Sequence, residues 1–163
     1  MILCPMYTCV FSAVGVTAQQ DFFEVKASAN SILVVHGWSL TQGTETGDAA
    51  EEMLQLSTNR GTGSVTSGSG GSSGTINPIM RGAPSFGGAI EINNTTKLAV
   101  GTGTLTTDLE KYNWNIRVPM TMIYTPEMRP IILPSDYWTL ELETTPADSV
   151  TISGTVWVEQ KGV

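Results

Sequence analysis

The sequence predicts an all-β protein, an antiparallel β-sandwich of about eight strands following a Greek-key or jelly-roll path. Three observations lead there. The two closing runs, 136–144 and 149–160, alternate strictly: Trp138, Leu140 and Leu142 against Tyr137, Thr139, Glu141 and Glu143, then Val150, Ile152, Val156 and Val158 against Thr151, Ser153, Thr155, Trp157 and Glu159. Such alternation means one buried face and one wet face. Charged residues make up only 14% of the 163 positions while Gly, Ser and Thr are abundant, which suits turn-rich β structure better than helices. Extended runs also recur between turn signals along the chain, with connections too long for a simple meander.

The turn residues Thr145-Pro146-Ala147-Asp148 predict that the two closing runs pair as a hairpin. Two strands alone are marginal in water, so the preceding chain must supply a second layer. Its length fits one domain with a full-sized core. We read residues 1–8 as an N-terminal arm and 9–163 as one β-sandwich domain carrying a Gly/Ser-rich loop at 61–75. The arm is apolar, and Pro5 forbids a regular central strand there. It is either a frayed terminus or an arm exchanged with a neighbouring subunit, and its Met, Ile, Leu and Tyr side chains favour contact. The apolar start is read as mature protein, since it lacks a basic amino-terminal region and contains Pro5 and Gly15.

The remaining elements follow in order. Cys9 to Val16 reads as a first strand and Asp21 to Ala27 as a second, with Phe23 and Val25 set against Phe22, Glu24 and Lys26. Ser31 to Thr41 is a long strand in which Ile32, Val34, His36, Trp38 and Leu40 share a face. Asp48 to Glu52 fits one helical turn with an acidic cap, and Met53 to Asn59 returns as a strand with Leu54 and Leu56 inward. The stretch from Gly61 to Thr75 is almost all Gly, Ser and Thr, so it is expected as a mobile or weakly paired surface loop. Ile76 to Arg81 is a short edge strand limited by Pro78, and Ala89 to Asn94 a better one with Ile90 and Ile92 inward. Thr95 to Thr104 is a loop, and Leu105 to Tyr112 is either strand or one helical turn. Asn113 to Tyr124 is extended up to a break at Pro119, Thr125 to Pro130 is a rigid loop between prolines, and Ile131 to Leu133 is brief.

A search for chemistry returns few candidates. Eight Lys and Arg against fifteen Asp and Glu give a net charge of -7, and the cations are scattered singly, which argues against direct nucleic-acid binding. The run 1–16 is too short and too interrupted for a membrane-spanning helix. His36 is the only histidine, which excludes sites needing several, and its strand context predicts a satisfied core or interface residue. Cys4 and Cys9, about 16 Å apart if extended, are expected as free thiols without further zinc ligands. Glu141 and Glu143 stand about 7 Å apart on a wet strand face, near the spacing of glycosidase acids. An exposed face of an acidic protein explains them more simply. No catalytic, cofactor-binding or metal site is predicted, and the chain is not read as an enzyme. Trp157, on the wet face of the last strand, is either partly covered by a loop or an oligomer contact, with Tyr137 expected beside it.

The stretches Phe11 to Val25, Gly47-Asp48-Ala49-Ala50-Glu51-Glu52 and Thr125-Pro126-Glu127-Met128-Arg129-Pro130 resemble the jelly-roll head decoration, or cement, proteins of tailed bacteriophages. The resemblance implies a virion structural protein, a trimer of its own copies seated on the major capsid protein at the outer surface of the head, assembled in the host cytoplasm. The candidate subunit and capsid contacts are Met1, Leu3, Met6, Tyr7, Tyr137 and Trp157. A phage tail-tip adhesin or carbohydrate-binding module is the alternative, with Trp157 or Trp38 stacking on a sugar.

Overall fold

The computed structural model describes residues 4–43 and 52–161. Twelve strands are present among them: β1 (Met6–Val16), β2 (Gln20–Ala27), β3 (Ile32–Gln42), β4 (Met53–Thr62), β5 (Ser72–Ser73), β6 (Ile76–Pro78), β7 (Gly88–Asn94), β8 (Thr104–Asn115), β9 (Met120–Ile123), β10 (Ile131–Ile132), β11 (Tyr137–Leu142) and β12 (Val150–Lys161). They form two six-stranded antiparallel sheets, consistent with a β-sandwich. The first runs β10-β3-β12-β1-β6, with β9 placed end to end with β10 on the free edge of β3. The second runs β5-β7-β2-β11-β4-β8.

The pairings nest. β1 pairs β12, β2 pairs β11, β3 pairs β9 and β10, and β4 pairs β8. The chain is therefore one long hairpin doubled back and rolled so that successive pairs fall in alternate sheets, which is the jelly-roll path. The remaining strands, β5 to β7, extend the β2 and β1 edges.

Nesting corrects the predicted closing hairpin. β11 and β12 do not pair; they lie in opposite sheets, and the connection at Thr145 to Ser149 crosses the sandwich. Alternation identifies a half-buried strand and is silent about its partner. Each strand nonetheless buries the face expected, with Trp138, Leu140 and Leu142 from β11 meeting Val150, Ile152, Val156 and Val158 from β12 in one core.

Bulges account for the other phase differences. In β3, Trp157 pairs Gly37 but Val158 pairs Val35, so His36 is the extra residue. Leu33 and Val35 face the core before the bulge and Trp38 and Leu40 after it. The expected common face of Ile32, Val34, His36, Trp38 and Leu40 is thus broken at its middle. In β2, Leu140 pairs Phe23 and Glu141 pairs Asp21, so Phe22 is skipped and both phenylalanines are fully buried. Phe11 packs against both rings, with centroids 5.9 Å from Phe22 and 5.2 Å from Phe23.

The arm is also shorter than expected, because Met6, Tyr7 and Thr8 already belong to β1 and pair with β12. Met1 and Leu3 lie outside the described residues, as does the helical turn expected at Asp48 to Glu52, save Glu52 itself. The 105–112 segment resolves as strand. Both edges of the first sheet are short and carry proline: Pro78 ends β6, Pro119 precedes β9 and Pro130 precedes β10.

Gly154, in the middle of β12, is a packing requirement. A Cβ there would stand 2.6 Å from a Phe11 ring carbon and 3.0 Å from Leu40 Cδ2. Both neighbours are buried and cannot swing aside, so Gly154→Ala should cost about 1 to 3 kcal/mol through overpacking. A urea denaturation midpoint unchanged by Gly154→Ala would contradict this packing.

Candidate interaction surface and a roofed acidic face

The sandwich has two outward faces, and they are built differently. On the first sheet, register places Thr8, Trp157, Gly37 and Ile123 in one row across β1, β12, β3 and β9. The next row holds Val10, Thr155, Ser39 and Thr121, and the row on the other side Met6, Glu159, Val34 and Ile131. Apolar side chains stand open here, with Val10 48%, Ile123 65% and Ile131 57% exposed. Gly37 leaves its place in the row to Ile123, whose Cδ1 would lie only 3.0 Å from an added Cβ.

The only carboxylate in these rows is Glu159, and it is neutralised. Its Oε2 lies 2.8 Å from His36 Nε2, and its Oε1 accepts from Lys161 Nζ at 2.8 Å. Although burial acts against ionisation, those two partners hold the Glu159 carboxyl below the ordinary range. His36 is thus a satisfied partner on this face. At about 4.8 Å per strand and 3.3 Å per residue, the three rows around Trp157 span roughly 15 by 13 Å.

Of the expected contact residues, Met6 and Trp157 fall on this face, both half-buried. Tyr7 and Tyr137 do not join them. Tyr7 is 1% exposed, packs edge-on against Phe86 and donates to the Pro84 carbonyl at 2.7 Å. Tyr137 belongs to the other sheet, is 5% exposed and lies under Lys26 Nζ at 5.0 Å from its ring centre. The expected neighbourhood of Tyr137 and Trp157 fails with the hairpin that suggested it. Trp38, the other aromatic expected to stack on a sugar, is fully buried and donates to Tyr124 Oη at 3.2 Å.

The outward face of the second sheet is polar and covered. Glu91, Glu24, Thr139 and Asn59 form one row, and Asn94, Asp21, Glu141 and Ser57 the next. Over them lies a ribbon in which Thr66 and Ser69 exchange backbone hydrogen bonds with Ala99 and Thr96, at 2.8 to 2.9 Å. This is the Gly/Ser-rich loop, paired to the loop that follows β7. Val65 and Leu98 sit on Gly61 and hold the ribbon by apolar contact.

Carboxylates hold it from below. Glu24, 2% exposed, accepts from Ser67 Oγ and, at 2.8 Å, from the Gly68 amide. Asp21 accepts from the Leu98 amide at 2.7 Å, and Glu141 from Lys97 Nζ and, at 2.6 Å, from Asn59 Nδ2. Burial pushes the Asp21 carboxyl up to about 7; the Leu98 amide and Lys97 oppose this, while Glu141 and Glu24 add to it. Asp21 Oδ1, Thr139 Oγ1 and Ser57 Oγ are buried without a partner among the described residues.

Glu141 and Glu143 part company here. Glu143 lies 3.4 Å from Lys111, whereas Glu141 is bound up beneath the ribbon. No group of three or more His, Cys, Asp or Glu arranged to hold a metal ion occurs among the described residues. Cys4 is exposed and Cys9 buried, both free, and burial pushes the Cys9 thiol up to about 11.

Comparison with family models, with curated proteins and with solved structures finds no match to this chain.

Two predictions follow from these environments. Glu24→Ala strands the Gly68 amide and the Ser67 hydroxyl and should cost about 1 to 3 kcal/mol in urea unfolding. In the folded protein a thiol reagent should label Cys4 promptly and Cys9 only at the rate of unfolding; equal labelling rates would refute the burial of Cys9.

Proposed function

We propose that this chain is a virion structural protein, a decoration or cement protein that binds the outer surface of a tailed-phage head and stabilises the shell. The observation that carries the proposal is the contrast between the two faces. In a chain of net charge -7, the outward face of the first sheet is open, uncharged on balance and apolar at Val10, Ile123 and Ile131. Such a face can approach another protein without desolvating unpaired charge. The sequence resemblance to head decoration proteins supplies the identity of that protein: the major capsid protein, with further contacts between copies of this chain in a trimer. In this reading the protein assembles in the host cytoplasm, works on the outer capsid surface, catalyses nothing, and contacts neither nucleic acid nor membrane.

One observation favours a second reading. Trp157 stands half-buried in a row with Thr8, beside Thr155, and an aromatic ring flanked by hydroxyls also suits a sugar, as in a tail-tip adhesin or carbohydrate-binding module.

The test is cosedimentation with heads stripped of this chain. Val10→Glu combined with Ile123→Glu should weaken attachment at least tenfold while changing unfolding free energy by less than about 1 kcal/mol, as befits exposed positions. Undiminished attachment of a folded double variant would reject this face as the contact. Glycan binding abolished by Trp157→Ala, without particle binding by the parent chain, would select the adhesin.

A further inference from the structure

The acidic face of the second sheet carries an inference independent of what the bare face binds. Three carboxylates, Asp21, Glu24 and Glu141, lie beneath the ribbon, and the one lysine there, Lys97, bonds Glu141 and offsets the charge of Asp21. Asp21 is 1% exposed and its Oδ1 has no donor among the described residues. Each of the three holds a different point of the ribbon: Asp21 the Leu98 amide, Glu24 the Gly68 amide and Ser67, Glu141 the Lys97 ammonium.

We propose that the ribbon formed by residues 64–69 and 96–103 is a proton-controlled clasp, closed over the second sheet while Asp21 is protonated and loosened when Asp21 ionises. The groups facing Asp21 are Glu24 on its own strand, Glu141 from β11, Lys97 from the ribbon, and the Leu98 amide; Glu91, on β7 beyond Glu24, is held by Asn94 Nδ2 at 2.8 Å. With all three near carboxylates ionised, one ammonium leaves two negative charges, and Asp21 and Glu24 themselves are 1% and 2% exposed. A proton on Asp21 removes one of them. Raising the ribbon is the other remedy, because it hydrates Asp21 at the cost of the Leu98 bond and the contacts of Val65 and Leu98 on Gly61.

The sign follows from the raised carboxyl. Closure binds the Asp21 proton more tightly than the open or unfolded chain does, so its stabilisation is complete at low pH. It is lost progressively as pH rises through about 7. Opening should therefore become more frequent on the alkaline side, and the ribbon should open before the sandwich unfolds, since it is joined to the second sheet through few bonds.

The experiment is amide hydrogen exchange of the intact chain between pH 5.5 and 8.5, corrected for the intrinsic rate. The Leu98 and Gly68 amides should lose at least tenfold protection over that range, while amides of β11 and β12 keep theirs. In Asp21→Asn, protection of Leu98 should be independent of pH. Carbon-detected titration of the Asp21 carboxyl in the unaltered protein gives a second readout that needs no variant, with a midpoint expected above 6. Glu141→Gln, by removing one neighbouring charge, should lower that midpoint. A midpoint at or below 4.5, or equal Leu98 protection at both pH values, would overturn the proposal, as would an Asp21→Asn protein whose protection still falls with pH.

Discussion

The pairing of the first long strand with the last is the constraint on which the rest of this molecule depends. β12 lies between β1 and β3, joined to both over most of its length. Without it the first sheet falls into two pieces, and the second sheet loses the surface against which Trp138 and Leu140 pack. The nested order means that every inner pair is flanked by an outer one, so the core closes as a unit and no half of the sandwich is a complete domain. Such non-local pairing requires loop closure before contacts compensate for it, and it places the chain among slow folders.

A buried polar chain reinforces the open end of the roll. Trp38 Nε1 donates to Tyr124 Oη at 3.2 Å, Tyr124 donates to Glu110 Oε2 at 2.6 Å, and Thr58 donates to the same oxygen at 3.1 Å. Trp38 of β3 and Tyr124, just past β9, thereby meet Glu110 of β8 and Thr58 of β4 across the two sheets. Burial raises the Tyr124 hydroxyl far above its ordinary range, with Glu110 adding to the effect, so this tyrosine acts as a neutral donor. Polar residues at this edge fix which strands face each other, a matter that interchangeable Val and Leu side chains leave open.

Which parts of this were legible in the sequence depends on whether the information is local. Alternation in β11 and β12 identified the inward residues of both strands, because exposure of one face is written residue by residue. Their partners were not legible, since a short connection serves equally to turn a hairpin or to cross from sheet to sheet. The bulges at His36 and Phe22 were hidden as well: a bulge is a property of two strands together, and a single strand shows only a lapse in its period. Composition misled at the second sheet. Thr139 and Glu24 fall opposite the apolar face of their strands, the side expected to be wet, yet a ribbon of glycine and serine covers them. The same ribbon, read alone, has too little apolar surface to order itself; its order comes from carboxylates on a distant strand. Met6 and Trp157 could be read as surface candidates, but their shared face emerges only from the register of β1 on β12.

The proline-bearing edges of the first sheet limit how a further strand could pair with it. A neighbour cannot add a strand along β6 or along the broken β9 and β10 edge, where backbone donors are missing or interrupted. The long free edge of the second sheet, β8, carries Asp108, Glu110 and Lys111, which discourage a flat apolar neighbour there. Sheet extension by a neighbouring strand is therefore disfavoured at these edges, and the side chains of the outward faces are the surfaces left open to contact.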